Sequence, residues 1–299
     1  MTKITAIIPL APNKNPEILE SAEKLKNNLK IIIEEGTNTS KNRNLGIKKA
    51  RTDLIAFLDA HTILPENWPE EVEKFFINYP EIDIVGGPQL TSKEEPLFVR
   101  TSGYALSSIF GSANLQSRYK PKRINLNADE RHLTSANLIC KRAIFKKIKF
   151  DESIYPGEDP KFISDALKAG FRIAYSPNIF VYHKRRANFK SLIKQIFSYG
   201  RTRPKKEPLL ETLKSPFFLI PSIFLIYLSF LPTLLAINIL TLTPLIIYLA
   251  LNIYFSIYQS ISNKNFKALF PLPFIYLAIH LSYGAGFIYG LIKNEISKN

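Results

Sequence analysis

From Pro216 to Gln259 the chain runs 44 residues without a charged side chain. No other feature limits its fold as strongly. A helix crossing the hydrocarbon core of a bilayer needs about 20 apolar residues, so this run holds two spans. A soluble helical pair of the same composition would present no polar face to water. Asn238, Thr241, Thr243 and Pro244 mark the break between the two. A third run, Ala268 to Ile292, has no charged residue other than His280 when protonated. The expected anchor therefore covers residues 207–299, with spans near 216–237, 241–260 and 270–292.

Charge gives the orientation. Lys184, Arg185, Arg186, Lys190, Lys194, Arg201, Arg203, Lys205, Lys206 and Lys214 precede the first span. Lys264 and Lys267 lie between the second and third, and the break between the first two carries none. The positive-inside rule then places the large front part and the Lys264 loop in the cytoplasm, as a multi-pass protein of the cell membrane. Three spans put the C-terminus on the far side, which Lys293 and Lys298 mildly oppose. The segment Ile4 to Leu10 is too short for the apolar stretch of a signal peptide, and Pro9 and Pro12 interrupt it.

The front 215 residues hold 36 of the 40 Lys and Arg and 24 of the 25 acidic residues, a net charge of about +12. Such an excess suits nucleic acid, anionic lipid or a phosphorylated substrate. The membrane runs favour the last two, and no nucleic-acid partner is expected. A single cysteine, Cys140, excludes an internal disulfide framework. Its apolar flanks read as a buried small hydrophobe in a reducing compartment.

Within the front part, short apolar runs alternate with helical patterns. Ile4 to Leu10 reads as a strand and Pro16 to Lys30 as a helix. Leu29 to Ile33 reads as a strand ending in Glu34-Glu35-Gly36. Thr39 or Ser40 caps a helix to Ala50. Leu54 to Leu58 and Ile82 to Val85 are further strands. This alternation means an α/β fold on a mostly parallel sheet, and such sheets bind ligands beyond the carboxyl ends of their strands. Glu34-Glu35 and Asp59-Ala60-His61 both fall there.

In an extended chain leaving a strand, Asp59 and His61 would point the same way and share one divalent cation, Mn2+ or Mg2+. That cation would bridge the phosphates of a nucleotide-sugar. Gly157-Glu158-Asp159 opens a helical pattern, where paired carboxylates also complement a helix dipole. Leu97 to Leu115 mixes Phe98, Tyr104, Ile109 and Phe110 with Ser and Gly. It reads either as an interfacial segment receiving a lipid acceptor or as a loop packed on the sheet.

The stretch Ser40-Lys41-Asn42-Arg43-Asn44-Leu45-Gly46-Ile47, then Ala50-Arg51, then Leu54-Ile55-Ala56-Phe57-Leu58-Asp59-Ala60-His61, closely resembles the family 2 glycosyltransferases. The resemblance spans roughly Ile4 to Arg203. It implies a GT-A domain, Rossmann-like, over residues 1–206, ahead of the α-helical transmembrane region. It implies that Glu35, or its neighbour Glu34, binds the base or ribose, with Pro9 on the same donor side. Arg43 would approach the nucleotide. The family's metal motif is usually Asp-x-Asp; here His61 takes the last place, and His183 would complete the site or touch the diphosphate. Ser135 and Asn137 would meet donor-sugar hydroxyls. Asp159 would be the general base on the acceptor, with Glu158 orienting it, and the anomeric centre would invert. Gln195 to Arg201 partly matches the Gln-x-x-Arg-Trp of processive relatives. No Trp follows, so processivity is not carried over; Arg201 would still face diphosphate or lipid headgroups.

The expected activity is transfer of a sugar from a UDP- or GDP-sugar to a polyprenyl-phosphate-linked or glycan acceptor at the cytoplasmic membrane face. Two other readings stand beside it. A nucleotidyltransferase would need a glycine-rich phosphate loop, and Ala11 to Pro16 has no glycine. A degenerate, transferase-like membrane scaffold would have lost its acidic motifs, and both are present.

Overall fold

A computed structural model describes residues 3–206 and 216–296. Lys214, Lys298 and the chain just after residue 206 lie outside the described residues. The chain divides into two compact units. The first holds residues 1–93 and 114–184, the second residues 94–113 and 185–299.

The first unit is built on a six-stranded sheet. Its elements are β1 (Ile4–Leu10), α1 (Ile18–Glu23), β2 (Leu29–Glu35), α2 (Thr39–Lys49), β3 (Leu54–Leu58), β4 (Thr62–Ile63), α3 (Trp68–Asn78), β5 (Ile84–Gly86) and β6 (Gln89–Leu90). Further along the chain come β7 (Asn137–Lys141), α6 (Glu158–Lys168), β8 (Ile173–Tyr175) and β9 (Val181–His183). The sheet order is β2-β1-β3-β7-β5-β8. Only β7 runs against its neighbours, pairing antiparallel with β3 and β5. The sheet is therefore mostly parallel, as the alternating pattern predicts. Strands β1 and β3 are apolar almost throughout because helices cover both faces. A second, three-stranded sheet, β4-β9-β6, sits at the ends of the first.

Two details place the chemistry. Helix α2 is capped by Asn38, whose side chain accepts from Lys41 N–H, rather than by Thr39 or Ser40. It lies close on β1, because a Cβ at Gly46 would come 2.4 Å from the Ile7 side chain. One turn earlier, that close face carries Arg43 into the interior. Phe57 then meets Phe150 edge to face at 4.9 Å, and Phe150 stacks on Phe162 at 4.2 Å. They fix the start of α6 against the sheet.

The second unit is helical: α4 (Leu97–Leu106), α5 (Ile109–Ser112), α7 (Phe189–Lys206), α8 (Ile220–Ile237), α9 (Thr243–Ser262) and α10 (Pro271–Ile296). Three stretches are long and apolar enough to cross a membrane: Pro216–Ile237, Ile239–Ser262 and Pro271–Lys293. These match the three apolar runs. Only 6% and 11% of the first two are buried, against 44% of the third, so α10 is the centre of the bundle. Helix α7 lies along it through glycines. A Cβ at Gly286 or Gly290 would come 2.1 and 2.3 Å from the Phe197 and Arg201 carbonyl oxygens. This is the close small-residue packing seen between membrane helices. The segment 97–112 is not irregular. It forms α4 and α5, grouped with the helices. Phe110 sits among the rings of Tyr248, Phe255, Tyr276 and His280, and its carbonyl meets His280 Nε2 at 2.7 Å.

Candidate active site

The carboxyl ends of β1, β2, β3 and β8 form one edge of the first unit. Strand β3 ends at Leu58, and Asp59 follows directly. The chain does not stay extended there. Thr62 N–H donates to the Asp59 carbonyl, 3.1 Å, closing a tight turn. The extended alternation by two is interrupted there, while the charge of His61 still acts on Asp59. The His61 Nδ1 lies 3.8 Å from Glu17 Oε1. The partner that Asp59 does find is His183, at the end of β9, with Nε2 and Oδ2 3.1 Å apart. The small sheet makes this pair, since β9 runs antiparallel to β4 with Thr62 opposite His183. Burial pushes the Asp59 carboxyl up. The His183 hydrogen bond and the charges of His183, Arg43 and His61 outweigh it and leave the group below the ordinary carboxylate range.

The second acidic corner is the start of α6. Arg43 is buried, and its Nη1 lies 3.0 Å from Glu158 Oε1 and 3.2 Å from Asp159 Oδ1. Its guanidinium stands over the Phe150 ring at 5.1 Å. Ser135 holds Asp159 from the other side. Its N–H donates to Oδ2 at 3.1 Å and its hydroxyl donates to Oδ1. Glu158 accepts from Gly157 N–H as well. Burial and the neighbouring Asp159 raise the Glu158 carboxyl, and Arg43 only partly offsets them. For Arg43, burial pulls the guanidinium down, but Asp159, Glu158 and Asp59 together hold it above its usual value.

The Arg-Asn pair on α2 thus serves the acidic corner as a unit. Asn44 Nδ2 donates to the Phe150 carbonyl (2.9 Å) and to Glu152, and its Oδ1 accepts from Phe150 N–H (3.1 Å). Asn38 donates to the Glu152 carbonyl, and Asn42 donates to Gly36 O. Nothing in the local pattern of Ser40 to Ile47 announces a partner more than 100 residues away.

The remaining candidates divide. Glu35 is exposed at the end of β2, where it accepts from Asn13 N–H at 3.3 Å. Pro9 lies opposite Glu34 in the β1–β2 register, and Glu34 is buried and paired with Lys49 at 2.7 Å. Of the two glutamates, Glu35 is the open one. Asn137 is fully buried. It accepts from Trp68 Nε1 at 3.2 Å and donates to the Ile179 carbonyl at 2.7 Å, so its amide is spent inside the fold. Ser135 is spent on Asp159 in the same way. Arg201 belongs to the second unit, in α7.

Among the described residues, no three His, Cys, Asp or Glu side chains gather at metal-ligand spacing. Asp59 and His183 are a two-ligand set, and His183 Nδ1 is buried without a partner. One carboxylate and one imidazole fit a divalent cation that draws its other ligands from phosphate oxygens and water. They do not fit a closed protein site.

A mostly parallel sheet, with an acidic residue ending its third strand and a carboxylate pair opening a later helix, defines a GT-A-like glycosyltransferase domain. Residues 12–149 match the family described as glycosyl transferase family 2. Over 53% of the chain it is 28% identical to the pre-mycofactocin glycosyltransferase of Mycobacterium tuberculosis, covering 32% of that protein. The chain thus spans about a third of the length of the first curated relatives it matches. A Methanococcus voltae protein is matched more fully, 25% identical over 95% of this chain and 85% of its own. It is named dolichyl N-acetyl-alpha-D-glucosaminyl phosphate 3-beta-D-2,3-diacetamido-2,3-dideoxy-beta-D-glucuronosyltransferase. Among solved structures, mannosyltransferase PcManGT from Pyrobaculum calidifontis, in complex with GDP-Man and Mn2+, shares the fold. The TM-score is 0.56 at 12% identity, over all of this chain and 88% of that one.

Proposed function

We propose that the protein transfers a sugar from a UDP- or GDP-sugar to a hydroxyl of a lipid-linked or glycan acceptor at the cytoplasmic face of the cell membrane, with inversion. The observation that carries this reading is the clamp on Asp159. A carboxylate opening α6 is paired with buried Arg43 and aimed by two Ser135 donors. An in-line displacement needs such a base opposite the leaving group. The acceptor hydroxyl gives its proton to Asp159 as its oxygen bonds the anomeric carbon. The bond from that carbon to the diphosphate breaks, and the nucleoside diphosphate leaves. Asp59 and His183 would hold Mn2+ or Mg2+, which when bound supplies positive charge to the departing diphosphate. Glu35 is placed for the nucleoside, and Glu158 positions the base.

The relatives support the reading at the level of class. The Methanococcus voltae protein is named for a dolichyl-phosphate-linked acceptor, and PcManGT was captured with GDP-Man and Mn2+. The test uses membranes supplied with a panel of nucleotide-sugars and lipid extract. Asp159→Asn should cut transfer by roughly 10²–10⁴-fold, the usual range for loss of a general base, with folding intact. Asp59→Ala should abolish Mn2+-dependent stabilisation by UDP or GDP. Undiminished transfer in both variants would leave a scaffold as the better reading.

A further inference from the structure

The loop that follows helix α5 is strongly basic. Arg118, Lys120, Lys122 and Arg123 fall within six residues, with Tyr119 and Pro121 between them and no acidic side chain. Clustered lysines often spread into solvent, and these cannot spread freely. The hydroxyl of Tyr175, a fully buried residue, donates to the Lys120 carbonyl and accepts from Lys122 N–H, both at 3.2 Å. Asn125 is tied to the Tyr175 backbone in both directions, at 2.8 and 3.0 Å. The backbone is thereby pinned to the end of β8, on the edge of the sheet where β3 ends at Asp59.

The loop's charges are also unanswered. Arg118 is used within the fold, donating to the Glu130 and Arg131 carbonyls. Among the described residues, no ion pair or side-chain hydrogen bond is formed by Lys120, Lys122 or Arg123. Lys120 is half-buried. Burial, and then the charge of Lys122, hold its ammonium below the usual lysine value, as befits a cation beside a cation. Next to them Ser117 is 6% exposed, and its hydroxyl has no partner. A buried hydroxyl left without a partner is destabilising unless something fills it. A pinned cationic loop next to an unpartnered hydroxyl has the chemistry to hold an anion.

We propose that Ser117, Lys120, Lys122 and Arg123 bind the phosphate of a lipid-linked acceptor. This inference rests on the transferase reading above and names the acceptor's anionic group. Chain connectivity favours a lipid phosphate over a soluble one. Three residues separate Ser117 from Ala113, where the segment containing α4 and α5 ends, and that segment packs with the apolar helices of the second unit.

The experiment uses the full chain in a neutral maltoside detergent, with farnesyl phosphate as probe and farnesol as its uncharged control. Three proteins are compared: wild type, the triple variant Lys120→Gln, Lys122→Gln, Arg123→Gln, and Ser117→Ala. Wild type should bind farnesyl phosphate and not farnesol. The triple variant should bind it at least tenfold more weakly, and Ser117→Ala two- to fivefold more weakly. Donor breakdown without acceptor, read as nucleotide release, should stay within twofold of wild type. Equal binding by wild type and triple variant would overturn the proposal, as would wild type that binds neither probe. Loss of donor breakdown in the triple variant would also overturn it, by assigning the loop to the donor.

Phosphatidylcholine vesicles, with and without phosphatidylglycerol, separate the two lipid sources. A wild-type advantage seen only on the anionic vesicles, and absent with farnesyl phosphate, would make the loop a general headgroup contact and overturn the acceptor assignment. The transferase reading is judged separately by nucleotide release in wild type and its loss in Asp159→Asn. The two can therefore fail independently.

Discussion

The two units bury polar groups in opposite ways. In the sheet unit the polar groups that are buried include charged ones beside neutral ones, and the charged ones converge: buried Arg43 and Glu158 share one corner with half-buried Asp159, and half-buried Asp59 meets His183 at another. In the helical unit the interior polar groups are neutral, and they disperse onto backbone carbonyls. Asn252 donates to Pro273 O, His280 meets Phe110 O, Tyr227 donates to Thr241 O, and Ser256 donates back to Asn252 O. The difference follows from the surroundings each unit is built for. A site meeting a charged substrate in water can hold ions if each is answered. A bundle in hydrocarbon must satisfy its backbone internally and keeps ions out. Buried charge is therefore found in the first unit, whereas the buried polar residues described in the second are neutral.

The largest expected effect breaks the charged side of that contrast. Arg43→Met leaves two carboxylates at the start of α6 without their common cation. Breaking a buried pair in this way costs about 3–5 kcal/mol, and transfer should fall with Asp159 no longer aimed. The sign with pH is definite. Burial and Asp159 already hold Glu158 above its ordinary value, and losing Arg43 raises it further. A carboxyl raised in the folded state adds stability below its unfolded pKa and loses it as pH rises through the folded one. The variant's deficit in thermal midpoint should therefore be smaller at pH 5 than at pH 8. A deficit that grows toward pH 5 would show that Arg43 is not the counter-ion of this corner.

That prediction also shows how far the sequence reached. The strands Ile4 to Leu10 and Leu54 to Leu58 and the three apolar helices were legible, because continuous apolar runs report burial directly. The acidic motifs were legible as positions. Their partners were not. Arg43 reads locally as a helix residue near a nucleotide, yet its charge is answered by residues 115 and 116 positions on. Asp59 and His61 read as an extended pair, but a turn closed by Thr62 lies between them. His183 takes that place through a strand pairing that no local pattern encodes. Helix α4 was hidden for a related reason. Its Ser and Gly residues look loop-like until they are seen to suit a close helix interface.

The packing side of the contrast is tested by Gly290. A Cβ there meets the Arg201 carbonyl carbon and oxygen at 2.9 and 2.3 Å, which are backbone atoms that cannot rotate away. Gly290→Val should separate α7 from α10 at a cost of about 1–3 kcal/mol, the usual range for overpacking. It should lower the thermal midpoint of the detergent-solubilised protein and quicken proteolysis within α7. Nucleotide binding by the sheet unit should persist. A variant as stable as wild type would mean that the two helices are not in close contact in the folded protein.

The smallest effect compares one hydroxyl from each unit. Tyr175 pins the basic loop, and Tyr227 donates to the Thr241 carbonyl at 2.8 Å. Each Phe variant removes one buried hydrogen-bonding group and should cost about 1 kcal/mol. Only Tyr175→Phe should also weaken farnesyl phosphate binding, by two- to fivefold, because only that hydroxyl holds Lys120 and Lys122 in register. It carries a pH signature too. Burial pushes the Tyr175 hydroxyl up to about 12. The neutral form is thus favoured in the folded state, and wild type should lose stability as pH rises from about 10 to 12. Tyr175→Phe should flatten that alkaline slope. If both Phe variants weaken probe binding equally, Tyr175 is a packing residue and the loop does not depend on its hydroxyl.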